Sequence, residues 1–148
     1  MKKIIMAFLL ILVIAGGFYV NSLLNSKPPL PIIRAGHENV AKVRGSYCWE
    51  GLISSECVDT LPPPELIKSL NLTPVVASPS SKLKIEFKNE PQKNTISVSK
   101  WLPNNKVEDV VLNKQSIILP KEKGLYVYDV SANWEKGSAS YAFAIEIR

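Results

Sequence analysis

Apolar and polar residues alternate along most of this chain, and a period of two is the signature of strands. Leu83, Ile85 and Phe87 interleave with Lys82, Lys84, Glu86 and Lys88, which predicts a half-buried strand with one charged face. Residues 95–101 predict a second strand with Ile96 and Val98 on one face. Residues 107–112 and 116–119 predict two more, separated by Asn113-Lys114-Gln115. Two long strands close the chain, 124–134 and 138–147, joined by Glu135-Lys136-Gly137, a short glycine-containing hairpin connection. In the last of them Tyr141, Phe143, Ile145 and Ile147 share a face. Residues 40–47 predict a further strand upstream. The single helical segment in this part is 64–70, with Pro64 in its first turn and Glu65 close behind. Ser78-Pro79-Ser80-Ser81 reads as a loop.

Seven or so short strands with turn signals between them predict an all-β fold, an antiparallel β-sandwich with one short helix. Gly124-x-Tyr126-x-Tyr128-x-Val130-x-Ala132 resembles the penultimate strand of immunoglobulin-like domains. That resemblance implies that Tyr126 packs inward and hydrogen-bonds back to its own corner. It supports the fold class and carries no function.

The first twenty residues follow another rule. Lys2 and Lys3 precede an uncharged run over residues 4–20, 17 positions covering about 26 Å as a helix. The run predicts an N-terminal transmembrane signal anchor with the basic end inside and the rest of the chain extracytoplasmic. The alternative is a secretory signal cleaved near Ala15-Gly16-Gly17, which leaves a secreted protein. Asn25-Ser26-Lys27-Pro28-Pro29-Leu30-Pro31 then predicts an extended polyproline spacer, because each proline fixes its own φ and restricts its predecessor. The expected organisation is anchor 1–24, proline-rich stalk 25–36 and β-sandwich domain 37–148.

About 120 residues beyond the anchor suffice for one domain with a single core. The formal charge of +5 includes Lys2 and Lys3, and the remaining charges are scattered. A mild basic surplus reads as ordinary solvation, with attraction to anionic lipid or wall as the alternative. No basic helix or aromatic-basic recognition motif points to nucleic acid.

Cys48 and Cys57 are the only cysteines, and in an exported chain an even count predicts a disulfide. Their spacing suits a hairpin in which Cys48 faces Cys57, Trp49 faces Glu56 and Glu50 faces Ser55, with residues 51–54 at the tip. A redox pair usually has two intervening residues, and a zinc site needs four ligands where only His37 and acids lie near. Arg44-Gly45-Ser46-Tyr47-Cys48-Trp49, Cys57-Val58-Asp59 and Ser140-Tyr141-Ala142-Phe143-Ala144-Ile145 resemble a group of small exported proteins of Gram-positive, spore-forming bacteria. Members of that group are tethered by a lipid or a membrane helix, and this chain lacks the lipidation cysteine. The resemblance implies a surface location and the disulfide, and brings no activity with it.

The sequence offers little for catalysis. His37 is the only histidine and has no partner in sequence, so a solvent-exposed loop residue is expected. No nucleophile elbow, phosphate-binding loop or metal-ligand spacing occurs, and no cofactor is implied. Glu50, Glu56 and Asp59 are the only acids placed to form a paired-carboxylate site, and solvated acids are the simpler reading. Aromatic residues offer more. Tyr47 and Trp49 share a face opposite Cys48, Trp134 lies beside the last hairpin turn, and Trp101 has the parity of Ser97 and Ser99, which points it outward. Each of the four is a core position or a ligand-binding position; exposed tryptophans anchor partners and stack on sugars. The expected function is a non-catalytic, membrane-anchored module that binds a protein or cell-envelope component. The alternative is a carbohydrate- or wall-polymer-binding domain using exposed tryptophans.

Overall fold

The computed structural model of the chain describes residues 2–24, 27–51 and 53–148. In chain order its elements begin with α1 (Lys2–Leu24), β1 (Pro31–Ala35), β2 (Glu38–Asn39), β3 (Lys42–Glu50), β4 (Ser55–Val58) and α2 (Pro63–Ser69). They continue with β5 (Val75–Ala77), β6 (Lys82–Phe87), β7 (Ser97–Trp101), a 3-10 turn (Pro103–Asn105) and β8 (Val107–Val110). The last three are β9 (Ser116–Ile118), β10 (Gly124–Trp134) and β11 (Gly137–Ile147). A smaller sheet has the order β2-β1-β6-β9, and a larger one β4-β3-β11-β10-β7-β8. The strands pair antiparallel except β5, which runs parallel to the end of β11.

Alternation sets the inner faces. In β1 the buried residues are Pro31, Ile33 and Ala35, and in β6 they are Leu83, Ile85 and Phe87. Across from them lie Tyr128, Val130, Tyr141, Phe143 and Ile145 of β10 and β11, so the core is the layer between the sheets. Tyr126 donates its hydroxyl to the Glu122 carbonyl at 2.9 Å, the corner contact expected of it. Ala142 and Ala144, on the other face of β11, are buried as well, because Leu66 and Ile67 of α2 pack on them. Small alanines let the helix approach closely, and burying those two α2 side chains stabilises by roughly 1.5–3 kcal/mol each.

Residues 27–36 depart from the stalk expected over 25–36, whose first two residues lie outside the described ones. Pro31–Ala35 is a strand held between β2 and β6, with register Pro31 to Phe87 through Ala35 to Leu83. Proline is tolerated there because Pro31 is the first residue and β2 reaches only Arg34 and Ala35. Ahead of it, Arg44 Nη2 donates to the Pro28 carbonyl at 2.8 Å and the Tyr141 hydroxyl to that of Pro29 at 2.6 Å. The proline run is therefore strapped to the domain from Pro28 onward.

The N-terminal segment is the 23-residue helix α1. Among the described residues no helix is long and apolar enough to cross a membrane.

Candidate functional site

The cysteine hairpin orients the first of the aromatic residues. Cys48 and Cys57 are disulfide-bonded and directly opposed, with Trp49 opposite Glu56 and Glu50 opposite Ser55, the register expected from the spacing. Because successive side chains alternate, the exposed disulfide lies on one face and Tyr47 and Trp49 on the buried one. Trp49 is thus shielded by the core.

The turn between β10 and β11 carries the second. Trp134 pairs with Gly137, and Gly137 pairs on its other side with Trp49, so one glycine lies between the two indoles, which stand on the strands flanking β11. Gly137 has φ 140°, and a Cβ there would overlap the Cys48 carbonyl. The indole rings meet edge to face, centroids 5.6 Å apart at 71°, and Phe87 continues the cluster at 5.1 Å from Trp134.

This cluster walls an open cavity of about 620 Å³ at the end of the sandwich. Lys27 and Pro29 of the strapped segment, Asn89 to Lys93 of the β6–β7 connection and the Glu135-Lys136 turn complete its lining. Three ammonium groups (Lys27, Lys93, Lys136) and two carboxylates (Glu90, Glu135) ring the two indoles. The Trp134 indole N–H donates to the Asn89 carbonyl at 2.9 Å. That of Trp49 is buried and has no hydrogen-bond partner among the described residues. A buried donor left unpaired costs about 1–3 kcal/mol. Chemically the cavity offers aromatic walls, amide and ammonium donors and carboxylate acceptors, a binding set.

The other expected site residues lie elsewhere. Tyr47 is buried in the core, with the Arg44 guanidinium 5.8 Å from its ring centroid. Trp101 faces outward, as its parity requires, on the side of the large sheet covered by α2. It is half-buried in a separate recess of about 170 Å³ that also contains Asp129. Trp49 and Trp134 therefore share a site that Trp101 and Tyr47 do not. Glu50 and Glu56 are exposed, and Asp59 accepts a hydrogen bond from Ser46 at 2.9 Å. His37 is exposed in the β1–β2 turn, and no cluster of acids, histidines or cysteines fit to hold a metal occurs among the described residues. Sequence reasoning missed Lys27, Lys93, Lys136 and Asp129. An aspartate set between Tyr128 and Val130 in a long strand was the one available signal for the last. Compared with family models, curated proteins and solved structures, the chain matches none.

Proposed function

We propose that this chain is a non-catalytic, membrane-anchored extracytoplasmic module, immunoglobulin-like in fold, that binds a cell-envelope component or a protein of the envelope through the Trp49–Trp134 cavity. The observation that carries the reading is an open cavity of about 620 Å³ walled by two indoles set edge to face, Trp49 and Trp134, with a charged rim. The disulfide supports an oxidising compartment. The apolar side chains of α1 support the anchor: Ile4, Phe8, Val13 and Phe18 are each more than 60% exposed, an arrangement that water disfavours and lipid does not. The Tyr126 corner supports the immunoglobulin-like reading.

A photo-cross-linking residue at Lys93 in intact cells, with Lys121 as a control position, tests the binding site. An adduct from position 93 and none from 121 is expected; equal labelling at both would defeat the reading. A carbohydrate or wall polymer as ligand is the second reading, favoured by the paired indoles with amide and carboxylate neighbours. An adduct removed by wall-degrading enzymes would select it. For the anchor, alkaline carbonate should leave the full chain with membranes and release a chain of residues 27–148. Release of both would remove α1 as the anchor.

A further inference from the structure

A second recess, on the α2 side of the large sheet, carries its own chemistry. Its polar lining is Asp129, Ser46, Thr60 and Ser140, and Trp101 with Leu66 supplies apolar walls. Asp129 is the only charged residue lining it, and its Oδ1 is buried with no hydrogen-bond partner among the described residues. No basic side chain of the lining neutralises this carboxylate. Its ionisable surroundings are Asp59, bonded to Ser46; Asp109, across Ser99 on β8; and Glu65 and Lys68, exposed on α2. Lys100 of the adjacent strand is engaged with Glu108 at 3.0 Å.

Two of the three hydroxyls have acceptors for their own protons. Ser46 Oγ donates to Asp59 Oδ1 at 2.9 Å and receives the Thr60 backbone N–H at 3.0 Å, so its own proton is committed. Thr60 Oγ1 lies 3.4 Å from both the Leu61 carbonyl and Ser46 Oγ, either of which can take its proton. The backbone is tight at this point. Between Ala139 and Tyr141 the register of β3 on β11 shifts, and a Cβ on Gly45 would overlap Ser140 Oγ. A recess with one unneutralised carboxylate, hydroxyl oxygens and an aromatic wall suits a cation.

We propose that this recess receives the side chain of a lysine from a partner protein, its ammonium on Asp129 and the neighbouring hydroxyls and its stem along Trp101 and Leu66. At about 170 Å³ the recess equals roughly six water molecules at ~30 Å³ each, room for one unbranched chain. An ammonium carries three donors and no acceptor, which suits one reachable carboxylate oxygen and separate hydroxyls. A guanidinium fork pairs best with both oxygens of a carboxylate, and here Oδ1 is buried. The indole adds cation–π attraction. This site is independent of the Trp49–Trp134 cavity and of the reading attached to it.

The test is a titration of the full chain in detergent micelles, read by the indole ¹H–¹⁵N signals assigned with Trp→Phe variants. The probes are N-acetyl-lysine methylamide, its arginine and norleucine counterparts, and glucosamine. A saturable shift of the Trp101 signal by the lysine probe is expected, with Trp49 and Trp134 unmoved. Norleucine, which keeps the stem and loses the charge, should leave it unmoved. Burial pushes the Asp129 carboxyl up to about 6, so the lysine probe should bind about tenfold more weakly at pH 5 than at pH 7.5. D129N should abolish the shift, and the norleucine and pH comparisons stand without that variant. No saturable shift, an equal response to norleucine, affinity unchanged at pH 5, or tighter binding of arginine or glucosamine would each overturn the assignment.

Discussion

Shortening the chain to residues 37–148, the boundary that the proline run suggests, is expected to prevent folding, whereas residues 27–148 should fold. The shorter chain loses Ile33, which is fully buried against β6, at roughly 2–5 kcal/mol for a large apolar side chain. It also leaves the Tyr141 hydroxyl buried without the Pro29 carbonyl, a further cost of about 1–3 kcal/mol. The ladder from Pro31–Phe87 to Ala35–Leu83 disappears with them, exposing the edge of β6. Together these losses are of order 5 kcal/mol, comparable to the ~5–15 kcal/mol that holds a domain folded. Urea titration followed by circular dichroism, with ¹H–¹⁵N spectra of both fragments, measures the difference. A dispersed spectrum for 37–148 with an unchanged urea midpoint would refute the claim that the strapped segment belongs to the core.

Trp49→Ala should cost about 3–5 kcal/mol in a urea titration and Trp101→Ala about 1 kcal/mol, because only the first indole is buried in the core. Reduction of the Cys48–Cys57 bond should lower stability by roughly 2–3 kcal/mol, and iodoacetamide should label the folded protein only after reduction. Asp129 titrates at about 6 in the folded protein against 3.8 in the unfolded chain, so the folded state holds this proton more tightly. Its contribution is therefore full below pH 3.8 and is lost as pH rises to about 6, a decline of up to ~3 kcal/mol that D129N should remove. A stability profile with the same slope in both proteins would contradict the burial of that carboxyl.

Much of the fold was legible because its strands carry their own instructions. The alternation in residues 82–87 and 124–147 fixed which side chains face inward, and Tyr128, Tyr141 and Phe143 are buried accordingly. Two cysteines with eight residues between them defined one hairpin register, and the β3–β4 pairing adopts it. The first strand was illegible for a positional reason. Prolines argue against a strand until it is known that Pro31 begins it and that no neighbour needs its missing N–H. Residues 75–77 are too short to show a period, and their parallel partner lies about 70 residues away, at 145–147. The cavity was hidden for a similar reason. Trp49 and Trp134 become neighbours only through Gly137, and no local pattern announces that β3 lies beside β11. Parity did report the outward direction of Trp101, while the lone carboxylate behind it could be recognised only once α2 was known to cover that face.

The hydrogen bonds from Arg44 and Tyr141 to the proline run have a consequence for range. With the chain pinned at Pro28, only residues 24–28 separate the end of α1 from a fixed point on the domain, at most about 14 Å when fully extended. Lys27, the last residue before the pin, already lines the Trp49–Trp134 cavity. If α1 is held at a surface, the cavity samples only a thin shell above it, and a ligand in that shell is met at a high effective concentration. Affinity and reach are then separable properties. Inserting flexible residues between 24 and 27 should extend the shell and dilute the encounter without altering a single contact in the site.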